Sequence, residues 1–416
     1  MIIHVYKQYY TGPAAPGSMQ PRKLSVALAD AGHDVHVVAS DLNVYSEQAE
    51  PEEAISTISG GGVFVHRVKE HSGLRRSLAA RLKNYLGYVR PALQVAATLP
   101  RPDIVLASVQ PLFAAWAGRR VARKYGVPWL LEVRDLWPDA LEVKGAIRSW
   151  QARPLHALAN SLYNSADRIV SITPGIKVEL LRKGLDPRRV DVFPNGFDPD
   201  LFKVEEGERK EQRRALGWDS SIVCLFTGTH TEVTAVDTLV RAAAYVPADR
   251  GIRFDFVGYG QTKPRAIALA RELGLQHVYF HDPVPKGRIP GLIAAADICL
   301  MSLFESPLIH IYFENKLMDY MGSGKPIVAA MGGQQAEIIA AHQAGRVVPA
   351  FDAKGLAAAI LDLAADPTVR DTMGGNGRRF VQEHLLLPDI LGRYVRVIEA
   401  VARGQAYELL SWEPFA

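Results

Sequence analysis

A chain of 416 residues with 48% apolar and 22% charged residues has the mass for two or three packed domains and is too apolar to be disordered. Its formal charge of +4 suits anionic ligands or a membrane surface but is too small to argue for nucleic acid. Its two cysteines, Cys224 and Cys299, stand in apolar strand-like runs and read as buried reduced thiols of a cytoplasmic protein; the start MIIHVYKQYY has no apolar leader region, and no apolar stretch reaches transmembrane length.

Residues 2–7 read as a short strand, followed by a Gly/Pro-rich loop, YYTGPAAPGS. Ser18 caps a helix that ends at Gly32, and residues 35–39 form the next strand. This is a βαβ unit with a glycine loop at the carboxyl end of its first strand, where ligands of doubly wound sheets bind. The loop lacks GxGxxG spacing, so a dinucleotide fingerprint is not supported, but Gly12 and Gly17 leave room for close backbone approach. Residues 71–99 place Leu74, Leu78, Leu82, Leu86 and Val89 in a stripe beside Arg75, Arg76, Arg81, Lys83 and Arg90. Such a helix either lies on an anionic bilayer or packs its stripe on the core with a solvated basic face.

A strand at residues 104–108, a helix stopped at Gly126 and the strand PWLLEV follow, ending in Arg134, Asp135, Leu136, Trp137, Pro138 and Asp139. Charge at the end of a buried strand is costly unless paired or functional. Arg134 is placed to hold a phosphate and Asp135 a sugar hydroxyl, or Arg134 pairs internally with Glu132 or Asp135. Helix 155–166, strand 168–172 and helix 176–184 lead to VDVFPNGFDPDLF, a dense run of turn residues expected at a domain junction. Its Asp198-Pro199-Asp200 spells D-x-D, but no third ligand is near and no metal is expected.

After the polar segment 205–214 the α/β pattern restarts. Strand 221–227 ends at Gly228, strand 252–260 ends at Gly258 and Gly260, and VYFHDPV follows a helix at 265–273. The second half centres on residues 305–330, ESPLIHIYFENKLMDYMGSGKPIVAA, read as loop, helix, glycine turn and strand. Asn315 is the expected N-cap, residues 316–321 the helix, and Gly322 and Gly324 its stop. A helix that opens just past a strand end points free N–H groups at an anion. Lys316 adds positive charge there, and Asp319, one turn in, is placed to accept bonds from the two hydroxyls of a ribose. Helices are expected at 352–365 and between 370 and 407, with Trp412 and Phe415 docking on the first domain. The domains are therefore 1–197, 198–385 and a helical tail, 386–416, crossing back to the first.

GHDVHVVAS, LLEVRDLWPDAL, SITPGI, FPNGFD, FVGYG and ENKLMDYMGSGKPIVAA, in this order and over nearly the whole chain, resemble the retaining GT-B glycosyltransferases of family 4. Within that family they resemble the branch that transfers N-acetylaminosugars in O-antigen, capsule and exopolysaccharide assembly. The resemblance implies an α/β chain of two doubly wound Rossmann-like domains facing a cleft. It implies a hexosyltransferase that takes a nucleotide sugar, expected to be UDP-linked, and passes the sugar to a glycan or polyprenyl-linked acceptor at the inner face of the plasma membrane. No cofactor or metal is required. By the same resemblance Gly17 contacts the donor diphosphate, and Arg134 and Asp135 line the acceptor and transferred-sugar side. The backbone of Pro283 and Val284 holds the base, with Gly258 and Gly260 leaving room beside it. Asp319 contacts ribose as the second acidic position of an E-x7-E motif, and N–H groups of Asn315, Lys316 and Leu317 hold the diphosphate.

Two departures stand out. The first acidic position is Ile311, with Glu305 and Glu314 out of register, and the stretch from Gly228 to Leu239 lacks the family's Arg and Lys. His230 and Lys316 are the groups left to stabilise the leaving diphosphate. Two other readings stay open: a GT-B epimerase acting on UDP-N-acetylglucosamine, and a non-catalytic nucleotide-sugar-binding subunit.

Overall fold

The computed structural model describes residues 1–12, 20–43, 53–56, 60–69, 78–143, 145–218 and 220–405. Gly17, the basic residues Arg75 and Arg76, and Trp412 and Phe415 lie outside the described residues. The chain divides into two compact units, Met1–Asn195 joined by the segment from Pro388 onward, and Gly196–Leu387.

The first unit holds an eight-stranded sheet: β1 (Ile2–Tyr6), β2 (Asp34–Ser40), β3 (Glu53–Ser56), β4 (Gly62–Val68), β5 (Ile104–Ser108), β6 (Trp129–Val133), β7 (Arg168–Ser171) and β8 (Val190–Val192). Their spatial order is β3-β4-β2-β1-β5-β6-β7-β8, and every pair except β3–β4 is parallel. Runs such as IVLAS and WLLEV are buried throughout because helices cover both faces of a parallel sheet. The order turns back between β1 and β5, which makes the carboxyl ends of those strands the crevice of this unit. Val190–Val192, expected as part of a turn-rich junction, is a strand, because Val190, Asp191 and Val192 pair with β7 and are buried.

The second unit holds β9 (Ile222–Thr227), β10 (Ile252–Val257), β11 (Val278–His281), β12 (Ile298–Ser302), β13 (Ile327–Ala330) and β14 (Gly345–Val348) in the order β11-β10-β9-β12-β13-β14, all parallel. Phe226, Phe254, Phe256, Leu300 and Ile360 fill its core beside Cys224, and both cysteines are buried and unbonded. The switch point lies between β9 and β12. The polar segment expected as a bare separator is the helix Glu206–Ala215, which buries none of its residues and holds on through Arg209 and Arg213. Arg209 donates to the Ala294 carbonyl (3.0 Å) and Arg213 to that of Ala295 (2.6 Å). The last described helix, Leu387–Ala402, leaves the second unit at its start and packs on the first: Tyr394 stacks on Phe193 at 4.6 Å and His33 Nε2 lies 2.8 Å from Glu399 Oε1.

The basic helix runs from Leu78 to Ala96. Its described leucine stripe faces outward, since Leu82 and Leu86 are 39% and 46% exposed, while Tyr88, Val89 and Ala92 are buried. The four-residue spacing drifts round a 3.6-residue helix, so the stripe and the buried face separate.

Three histidines share adjacent strands in the first unit. His4 and His36 are register partners, with ring centroids 5.7 Å apart, and His36 Nδ1 lies 3.1 Å from His66 Nε2. Burial, then the neighbouring His36, lowers the pKa of His4 to about 4, and burial likewise lowers that of His36. An unfolded histidine titrates near 6.5, so between about pH 4 and 6.5 the unfolded chain binds more protons and stability rises with pH. The contribution of His4 is therefore complete above pH 6.5 and falls by about 3 kcal/mol as pH drops to 4. Urea unfolding of the first unit's signal at several pH values should show this loss, and His4→Phe should flatten it. An equal slope in both proteins would remove His4 as the cause.

Candidate functional site

The crevice of the second unit is built backbone on backbone. The loops leaving β9 and β10 touch through Gly228 and Gly258, whose φ angles are 140° and 150°. A Cβ on Gly258 would stand 1.9 Å from the Gly228 oxygen, and one on Gly260 (φ 153°) would stand 2.0 Å from that of His230. Only glycine fits such contacts at these angles. The Gly228 N–H donates to Val257 O (3.0 Å) and the His230 N–H to Tyr259 O (2.8 Å), locking the two loops together. The sequence reading assigned Gly258 and Gly260 to leaving room beside a base. The structure gives these glycines a second requirement: the neighbouring loop fills the space a side chain would take.

This clamp buries His230 completely, with its ring edge-on to Phe226 at 5.4 Å. Burial first, then the cations Lys263 and Lys316, lower its pKa to about 4, so the imidazole is neutral at pH 7. Lys263 supports the same floor: its Nζ donates to the carbonyls of Gly258 (2.8 Å) and His281 (2.7 Å).

Lys316 sits beside this floor. Its Nζ lies 4.3 Å from the centroid of the Phe226 ring, a cation–π contact, and 3.3 Å from where a Cβ of Gly228 would be. Glu314 Oε2 is 3.3 Å from Nζ, and neither atom makes a hydrogen bond. The helix carrying Lys316 is Asn315–Gly322. Its N-cap is Glu314 rather than the expected Asn315, because Glu314 is extended (φ −76°, ψ 138°) and its own N–H is taken by Gln335 Oε1 at 2.9 Å. Of the three N–H groups expected at the diphosphate, that of Leu317 already bonds the Glu314 carbonyl (3.1 Å). The helix ends at Gly322, as expected, and Gly324, at φ 68°, makes the reversal; a Cβ on Gly322 would stand 2.4 Å from the Phe197 ring. Tyr320 ties the helix to β9 by accepting the Thr227 N–H at 2.8 Å.

Asp319 is partly buried on the same helix. Burial raises its carboxyl pKa to about 7, with Lys286 pulling the other way. Pro283 is exposed and Val284 half-buried, in the loop after β11. Asp198 accepts the Leu201 N–H at 3.4 Å, as a local turn does. Sequence reasoning passed over Gln335, Tyr320, Lys263 and Lys286. Only the Lys263 that follows FVGYG carried a signal, a cation just past a glycine-ended strand.

In the first unit the charges at the strand ends close on one another. Lys7 Nζ lies 3.2 Å from Ser108 Oγ and 3.4 Å from Glu132 Oε2, and Arg134 reaches Glu132 Oε1 (3.1 Å), Gln20 Oε1 (2.7 Å) and Asn195 Oδ1 (2.7 Å). Burial opposes ionisation of Glu132, but Lys7 and Arg134 win and hold its carboxyl below the usual range. Of the alternatives open for Arg134, the structure forms the pairing with Glu132 and leaves its guanidinium buried. Asp135, beside it, is partly buried.

Two family descriptions match the chain: a glycosyl transferase 4-like domain over residues 18–196 and glycosyl transferases group 1 over residues 221–366. The D-inositol 3-phosphate glycosyltransferase of Kribbella flavida is 32% identical over 227 residues, which are 50% of this chain, and the chain spans about half (51%) of that relative's length. A putative colanic acid biosynthesis glycosyl transferase, WcaI of Escherichia coli, is 24% identical over 66% of this chain and 70% of its own. Among solved structures, Anabaena Alr3699/HepE in complex with UDP-glucose superposes with a TM-score of 0.71 at 17% identity, over 96% of this chain and all of its own. At that identity the likeness shows the fold, and with the two family matches it carries the assignment: the chain belongs to the family-4-like glycosyltransferases of GT-B fold.

Proposed function

We propose that the chain transfers a sugar, an N-acetylaminosugar by the resemblance of its motifs, from a UDP-linked donor to a glycan or polyprenyl-linked acceptor of a bacterial surface polysaccharide, with retention. The observation that carries this is Lys316, a cation at the start of a helix, at the switch point of a parallel sheet, aimed at a glycine floor. That arrangement suits a diphosphate and the negative charge that grows on it as the sugar–phosphate bond breaks. The acceptor hydroxyl attacks on the face the nucleotide leaves, the leaving phosphate takes its proton, and the protein positions the partners. UDP-glucose in the HepE complex and colanic acid in the WcaI name support the donor and acceptor classes. The inositol phosphate relative supports a small phosphorylated acceptor instead. Incubation with labelled UDP-sugars and either a lipid extract or inositol phosphates tests both, and binding without transfer to either would refute catalysis.

Lys316→Met keeps most of the packing on Phe226 and removes the charge. It should lower kcat about a hundredfold or more while weakening donor binding much less. A kcat within about threefold of the parent, under 1 kcal/mol of barrier, would show that Lys316 does not stabilise the leaving group.

The acceptor's lipid gives the outward leucines a place. Leu86, Val89, Arg90, Leu93, Trp116 and Arg120 line a groove of about 510 Å³ on the first unit, and Leu82 and Lys83 are exposed beside it. Each cation near an anionic surface contributes about 1 kcal/mol. Leu86→Asp with Arg90→Glu and Arg120→Glu should therefore reduce partitioning onto anionic vesicles at least tenfold without lowering Tm by more than a few degrees. Equal partitioning would make the helix structural only.

A further inference from the structure

The start of the Asn315–Gly322 helix gathers buried polar atoms that make no hydrogen bond within the protein. Lys316 Nζ and Glu314 Oε2, the ion pair 3.3 Å apart described above, are two of them, and Gln335 Nε2 joins them. Gln335 comes from another element, the helix Gln334–Ala341 that follows β13, and is only 1% exposed. Which end of its amide is which is fixed chemically. The Glu314 N–H needs an acceptor, so the atom 2.9 Å from it is Oε1, and Nε2 is the end left with its two N–H donors unanswered. A buried donor left unpaired costs free energy, and proteins seldom leave one without a partner from water or a ligand. Here donors outnumber acceptors: the Lys316 ammonium and the Gln335 NH2 have one carboxylate between them, that of Glu314 beside Lys316. A ligand that answers them all is rich in acceptor oxygens and anionic.

We propose that Gln335 is a donor-binding residue, which accepts from the Glu314 N–H through Oε1 and donates through Nε2 to a phosphate oxygen of a nucleoside diphosphate. The residue thus does two jobs. One end sets the N-cap of the helix that carries Lys316; the other extends the row of donors beyond the helix's own N–H groups. The inference rests on the donor reading given under Proposed function, and a test can separate the two.

Gln335→Glu keeps an oxygen for the Glu314 N–H and removes the Nε2 donor. Gln335→Met removes both ends at similar volume. Calorimetry with UDP, beside thermal unfolding without it, is the measurement. Contact with the diphosphate predicts that both variants bind UDP at least tenfold more weakly while Q335E keeps the parent's Tm. A purely structural role predicts loss in Q335M alone, and a mere change of local charge predicts loss in Q335E that fades in high salt. Either of those outcomes overturns the proposal. In the wild type with 15N-labelled glutamine, the buried side-chain NH2 of Gln335 should shift on adding UDP, and an unmoved resonance would also overturn it, whatever the variants do. A wild type that binds no UDP refutes the donor reading itself, whereas UDP binding that Q335E leaves within twofold refutes only the role of Gln335.

Discussion

Gly258 lies so close to the carbonyl of Gly228 that the smallest side chain would collide with it at 1.9 Å, and the second unit's site depends on that contact. The contact brings the loops of β9 and β10 together, and their N–H groups are satisfied across it. The imidazole of His230 is sealed below, and its pKa falls to about 4 because an ion cannot be solvated there. Above, the missing side chain of Gly228 leaves the space into which Lys316 reaches over Phe226. One steric constraint thus fixes a floor, a neutral imidazole and a cation.

Much of this was legible in the sequence. Apolar runs of strand length separated by helices gave the parallel sheets, and IVLAS and IVAA became strands with the expected bounds. Lys316 was legible as a cation at a helix start, because helix position and charge are local properties. What was not legible depends on contacts between distant segments. Gln335 lies 21 residues from the backbone N–H it accepts, and nothing in MGGQQAEII marks one glutamine over the other. The glycines were legible as special, but not their contact with the neighbouring loop, since a sequence shows that a Cβ is missing and not what occupies its place. The separator helix was missed for another reason: with no buried residue it has no apolar stripe to find.

The two units treat charge at their strand ends in opposite ways. In the first, Lys7, Glu132 and Arg134 form a buried set in which each charge has a partner and Gln20 and Asn195 take what remains. Such a set is expensive to assemble and strongly destabilising to break, and it fixes side chains in place more than it strengthens the fold. Its burial brings Lys7 down to about 8, with Glu132 holding it up. These groups are poor candidates for a ligand, since each bond to a ligand would be exchanged for one already made.

In the second unit the balance is left open. Glu314 approaches Lys316 without hydrogen-bond geometry, His230 is neutral, and Gln335 has one end answered. Donors held in a dry place without partners are already oriented and desolvated, so a ligand's oxygens replace nothing when they arrive. The same preorganisation serves the reaction. A charge that appears on the leaving phosphate meets donors that need not turn to face it, whereas in water the solvent would have to reorganise. The difference between the units is thus one of chemistry and not of fold. Both place charge at the end of a parallel strand; the first neutralises it internally, and the second leaves it for a ligand to complete.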